Sequence, residues 1–199
     1  MNYLAHAFLS QQSPEAILGA LLGDFVKGEV GSEYPTTVRD AILLHRRIDR
    51  YTDAHPLHRA CCAMISPPRR LFAPVLVDMF YDHFLARHWA DYHPLPLTQF
   101  AQQVYAVLLA HQAELPPRLQ WVAPRMAADD WLSAYAQVPG IEAALDGIAR
   151  RLGRYRRAAA LHGAIDELTL HYVDFERHFR DYFPQLIAHT QTLTPKQAA

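Results

Sequence analysis

Apolar residues recur along this chain at steps of three and four, and nowhere in a sustained alternation of β-branched positions. Steps of three and four are the period of an amphipathic helix, whereas alternation would mark strands. Prolines and glycines cut the pattern into pieces. Ser13-Pro14-Glu15 reads as an N-cap followed by proline at the first helical position, opening a helix to about Lys27, where Gly28 ends it. Pro35-Thr36-Thr37 opens a second helix, limited by Pro56. After the Pro67-Pro68 break a long helix is expected over 70–91, with Pro74 marking either its start or a kink. Another is expected over about 97–113, and a short one near 126–136 inside the proline-broken stretch 116–139. Two more follow, over about 140–158 and 162–188. The expected fold is all-α: a compact single-domain bundle of about six to eight helices over 1–199, without repeats, fraying from about 190.

Four of these segments carry polar groups where the helical wheel expects core. His6 lies among Leu4, Ala5, Phe8 and Leu9 in "MNYLAHAFLS". Asp24 shares a face with Ile17, Ala20 and Leu21. In "LLHRRIDRYTD", His45, Asp49 and Asp53 stand four residues apart, a stripe drifting roughly 40° per step and flanked by Ile42 and Ile48. On that wheel Arg46, Arg47 and Arg50 point away. Asp78 and Asp82 share a face with Val75, Leu85 and Trp89, with His83 beside them. A buried ionised carboxylate is costly unless it is paired or bound to a cation. One divalent cation neutralises several carboxylates at once, and a mixture of His and Asp suits Mn²⁺, Fe²⁺ or Zn²⁺. Each of these residues alone also fits an ordinary hydrogen-bonded core position.

Composition narrows the chemistry. The formal charge is −1, which argues against non-specific binding of nucleic acid. Seventeen of the nineteen basic residues are arginine, which suits planar recognition of phosphate or carboxylate. Cys61 and Cys62 are adjacent and poorly placed to bridge each other. With no cationic signal peptide and no apolar run long enough for a bilayer, a cytoplasmic, reduced protein without membrane contact is expected. The chain has no Glu-x-x-His step, no His-Glu-x-x-His, no phosphate-binding glycine loop and no Gly-x-Ser-x-Gly elbow. A helical His–Asp site that activates water for attack on phosphorus or carbon remains.

The blocks "MNYLAH", "LLGDFVKG", "HRRIDRYTDAHP" and "VDMFYDHFLARHW", in this order, resemble the acyl carrier protein phosphodiesterases. The likeness covers most of the chain and is strongest over 1–90, with "DDWLSAY" and "LHYVDFERHF" still fitting later. The resemblance implies an HD-domain-like helical fold and a divalent metal, typically Mn²⁺. It implies hydrolysis of 4′-phosphopantetheine from holo-acyl carrier protein to give the apo protein. The HD superfamily is named for an adjacent His-Asp pair; this sequence has none, only Asp82-His83 in reverse order.

On that reading His6, Asp24, His45 and Asp82 are expected as metal ligands, with Asp24 also counted among the catalytic groups. Asp49 and His83 come next, and Asp53 and Asp78 are candidates for support or for acid–base work. Arg46 and Arg47 are expected to reach phosphate at the pocket mouth. An acidic carrier protein calls for a basic face, and Arg150, Arg154 and Arg157 stack on one side of "ARRLGRYRRAAA", with Arg69 and Arg70 as a second patch. The competing readings are a metal phosphohydrolase acting on a small nucleotide or phosphate ester, and a non-catalytic helical binding protein.

Overall fold

The structure, a computed structural model, describes residues 1–10, 13–153 and 156–193, leaving aside the side chains of 156 and 157. Among them are eleven α-helices and no strand, so the all-α expectation holds with more, shorter helices than the expected six to eight. They are α1 Tyr3–Leu9, α2 Pro14–Leu22, α3 Thr36–Ala54, α4 Pro56–Met64, α5 Ala73–Arg87 and α6 Leu97–Ala110. The later ones are α7 Pro117–Ala128, α8 Trp131–Ala134, α9 Val138–Arg151, α10 Ile165–Leu170 and α11 Tyr172–Leu193.

The core is organised around α5. From Met79 to Ala86 every residue is buried, so this helix is enclosed on all sides and shows little amphipathic contrast. Against it α11 sets Phe175, Phe179, Tyr182 and Phe183, spaced to share one face. Phe80 meets Phe175 edge to face with ring centroids 5.2 Å apart, and Tyr81 stacks on Tyr182 at the same distance. α2 and α3 form a tightly packed pair. A side chain at Gly19 would place its Cβ 2.4 Å from the Val38 carbonyl oxygen, so glycine permits the approach.

Several boundaries differ from the sequence reading. The 70–91 helix is a 3₁₀ segment Pro67–Phe72, then α5, then a 3₁₀ turn Trp89–Asp91. Pro74 therefore marks the true start of the α-helix, where its missing N–H costs no hydrogen bond. The 162–188 helix is divided at His171 (φ −117°, ψ 27°) into α10 and α11. The short helix expected near 126–136 is instead two, α7 and α8, divided at Asp130 (φ 44°, ψ 55°), and Pro124 is accommodated inside α7. The Gln120 carbonyl that the proline leaves unpaired receives the Gln112 side-chain amide at 3.4 Å. α11 runs to Leu193, so helix continues past 190; residues 194–199 lie outside the described residues. No helix among the described residues is long and apolar enough to cross a membrane.

Candidate metal centre

Two helices and one turn converge on a small polar pocket. α1 presents His6, α3 presents His45 and Asp49 one turn apart, and the turn after α2 presents Asp24. His45 is buried, and its Nδ1–H donates to the Ala20 carbonyl at 2.7 Å, which leaves Nε2 facing the carboxylates. Its ring passes directly under Gly23, where a Cβ would lie 2.2 Å from His45 Cγ. The imidazoles of His6 and His45 stack with centroids 3.6 Å apart and planes 15° from parallel. Both aim Nε2 at Asp49: His6 reaches Oδ1 at 3.0 Å, and His45 reaches Oδ2 at 3.1 Å. Asp24 Oδ1 lies 3.7 Å from His45 Nε2. The Met1 nitrogen is 3.5 Å from Asp49 and 3.0 Å from Asp78, whose Oδ1 also meets His58 Nε2 at 3.2 Å.

Two stacked imidazoles cannot both carry charge, and the surroundings decide which one does. Burial, then the neighbouring His45, lowers His6 to about 4. Burial also works against the charge on His45, but the neighbouring Asp24 and Asp49 carboxylates outweigh it and raise this imidazole to about 9. The Asp49 carboxyl is held far below the usual carboxylate range: burial alone would raise it, and hydrogen bonds from His45 and His6 overcome that. Neutral His6 donates its Nε2–H to Asp49, so its buried Nδ1 is a lone pair with no partner. Nitrogen and oxygen donors from His6, His45 and Asp49 all lie within 4.8 Å of one another. Two imidazoles, one of them with a nitrogen that has no partner, and a carboxylate held ionised form a donor set that fits a divalent transition metal.

A profile of the acyl carrier protein phosphodiesterase family matches residues 1–186. The chain belongs to that family. Proteins named acyl carrier protein phosphodiesterase include one from Serratia proteamaculans, 40% identical over 188 residues, covering 94% of this chain and 96% of that protein. The one from Yersinia pestis is 35% identical over 192 residues, covering 96% and 98%. The one from Klebsiella pneumoniae (strain 342) is 32% identical over 188 residues, covering 94% and 96%. No solved structure matches significantly.

In this family member the remaining expected residues scatter. Asp24 is exposed in a turn, because α2 ends at Leu22 and not near Lys27. Along α3 the buried positions are Val38, Ala41, Ile42, His45, Ile48 and Thr52, and the Asp stripe rotates off this line. Asp49 sits at the edge, its side chain 39% exposed, and Asp53, roughly 80° round from His45, faces solvent. Asp78 is paired with His58 and the Met1 nitrogen, and Val75 on its expected core face is exposed.

Asp82 stands apart from the cluster. It is fully buried, and its two oxygens accept the Leu4 N–H at 2.9 Å and the Ala5 N–H at 3.2 Å, capping α1 from another helix. Burial pushes this carboxyl up to about 7, with the two N–H groups pulling against it. Both nitrogens of His83 are likewise engaged: Nδ1–H donates to the Tyr135 carbonyl, and Nε2 accepts the Tyr172 hydroxyl, each at 2.8 Å.

Most expected arginines are engaged by the fold or displaced. Arg46 donates to the Gly28 and Val26 carbonyls, at 2.7 and 2.8 Å, and so holds the loop after α2. Arg47 is exposed on α3. Arg69 donates to the Ala160, His162 and Gly163 carbonyls and pairs with Glu167 at 3.1 Å. Arg70 is exposed and its Nε donates to the Ile65 carbonyl at 2.9 Å. Arg150 is exposed near the end of α9, which runs to Arg151. Arg154 and the side chain of Arg157 lie outside the described residues.

The sequence reading missed His58, Arg50 and Arg59. His58 meets Asp78 across twenty residues of chain, and no local pattern announces such a pair. Arg50 and Arg59 line a surface groove with Asp49, described below.

Proposed function

We propose that this chain hydrolyses the phosphodiester joining 4′-phosphopantetheine to a serine of holo-acyl carrier protein, releasing the apo protein. The observation that carries the reading is the convergence of His6, His45 and Asp49 in a member of the acyl carrier protein phosphodiesterase family. These three residues would hold a divalent metal, with Asp24 as a further donor; Mn²⁺ is the ion proposed, as the family resemblance implies, among those that a mixed nitrogen and oxygen set can hold. Such an ion supplies Lewis acidity toward phosphoryl oxygens and toward water.

The chain's own residues do the rest. The Ala20 carbonyl fixes the His45 tautomer so that Nε2 faces Asp49, and the backbone at Gly23 keeps the ring from swinging. Asp53, exposed in the groove beside Asp49, is proposed to exchange the proton with the leaving serine oxygen. The His58–Asp78 pair backs the cluster, whereas Asp82 and His83 serve by holding α1 and α5 in place. The acidic carrier protein, with no nucleic acid and no membrane, is the proposed partner, in the cytoplasm.

The test is to incubate the chain with holo-acyl carrier protein and Mn²⁺ and to follow conversion to the apo form by mass spectrometry. Conversion that stops on adding a chelator is the expected result. No apo form under either condition refutes the reading.

A further inference from the structure

Beside the His6–His45–Asp49 cluster lies an open groove of about 460 Å³, lined by Arg46, Asp49, Arg50, Asp53, Ala54 and Arg59. Asp49 belongs to both, so whatever occupies the groove abuts the cluster. The volume exceeds what a lone phosphoryl group fills and falls among small-ligand clefts. The three arginines differ in what else they do. The Arg46 guanidinium is occupied by two backbone carbonyls of the loop after α2. Arg59 gives only its Nε, to the Asp53 carbonyl at 3.0 Å, which ties α4 to the end of α3 and leaves both terminal nitrogens unengaged among the described residues. The Arg50 guanidinium has no protein partner among the described residues.

We infer that Arg50 and Arg59 form the phosphate-binding clamp of this site, receiving a phosphodiester in the groove with its phosphorus toward Asp49. The inference rests on the diester reading above, and it moves the anion-binding role from Arg46 and Arg47 to this pair. Guanidinium groups with free terminal nitrogens present parallel donors that match phosphate oxygens, which an arginine already engaged with carbonyls does not. Formal charge favours the anion: three arginines face two carboxylates across the groove. The organic part of the diester occupies the remaining volume between α3 and α4.

The clamp is tested with inorganic phosphate on chelator-treated protein, by calorimetric titration, so that binding is read without catalysis. Arg50→Gln and Arg59→Gln should each weaken phosphate binding by about tenfold, the size of one lost charge-assisted contact. Arg39→Gln serves as control: it lies on α3 three turns from Arg50, outside the groove, and should stay within about twofold. In the metal-loaded enzyme the two groove variants should raise KM for holo-carrier protein more than they lower kcat, with far-UV circular dichroism unchanged. Wild-type affinity in both groove variants, an equal loss in Arg39→Gln, or no phosphate binding by the wild type would each overturn the clamp. If phosphate binds as expected but no prosthetic group is released, the proposed function falls and the groove stands as an anion site. If release occurs and the groove variants bind phosphate normally, only the clamp falls.

Discussion

Two His–Asp regions look alike in the sequence and differ in the folded chain. In the α5 region, Asp82 and His83 are both fully buried, and every side-chain nitrogen and oxygen has a protein partner. In the α1–α3 region, His6 and His45 are buried just as deeply, yet His6 Nδ1 has no partner and Asp49 opens onto the groove. A saturated polar cluster specifies packing, because its hydrogen bonds are already made and a ligand would have to break them. An unsaturated one with an opening keeps donors for something else. Saturation, more than residue type or burial, separates the two regions.

The largest expected effect breaks the comparison most directly. Asp49→Asn should lower release of 4′-phosphopantetheine by about 10³-fold or more, the loss of a group proposed both to hold the ion and to face substrate. Its cost in urea denaturation should be about 1 kcal/mol or less, because the side chain is 39% exposed and Asn still accepts from His6. Asp82→Ala should do the reverse. It leaves two buried N–H groups of α1 without an acceptor and should destabilise the fold by about 2–4 kcal/mol, with most activity per folded molecule kept. An Asp82→Ala protein that is as stable as the wild type but inactive would erase the distinction between the regions.

The next effect sharpens it. If the unsaturated region holds the ion, Mn²⁺ at about a hundred times its Kd should stabilise the wild type by roughly 2.7 kcal/mol in urea. That increment should vanish in His45→Gln and persist in His83→Gln. Stabilisation that survives the loss of His45 would mean that the ion sits elsewhere.

Much of this arrangement was legible before the fold was seen, for one reason. Helical periodicity reports which way a side chain points, so His6 and His45 stood out as imidazoles among core residues. Asp49 stood out with them as part of the same stripe. Periodicity does not report what lies opposite. Asp82 reads as a buried charge in need of a cation, but its partner is the backbone of α1, 77 and 78 residues away. Arg69 reads as a surface charge, but it closes onto carbonyls more than ninety residues on. Arg59 belongs to the groove only because the turn at His55–Pro56 folds α4 back beside α3.

The smallest effect sets the two histidines against each other by the sign of their pH dependence. In metal-free protein His45 titrates at about 9, above the ordinary imidazole value of about 6.5, because Asp24 and Asp49 outweigh its burial. The folded state therefore holds this proton more tightly. The resulting stability is fully present below pH 6.5 and is lost as pH rises through about 9. His83 is shifted the other way, chiefly by burial, so its neutral form is the one the fold keeps. Its contribution is lost as pH falls below the value at which the unfolded chain takes up the proton. Urea midpoints of chelator-treated wild type should thus decline on the alkaline side, by about 2 kcal/mol between pH 7 and 10 beyond the decline of His45→Gln. On the acid side His83→Gln should decline less than the wild type between pH 6.5 and 5. Parallel wild-type and His45→Gln curves from pH 7 to 10 would show that the α1–α3 carboxylates do not hold a proton on His45. The electrostatic half of the comparison would then fail, even with the saturation argument intact.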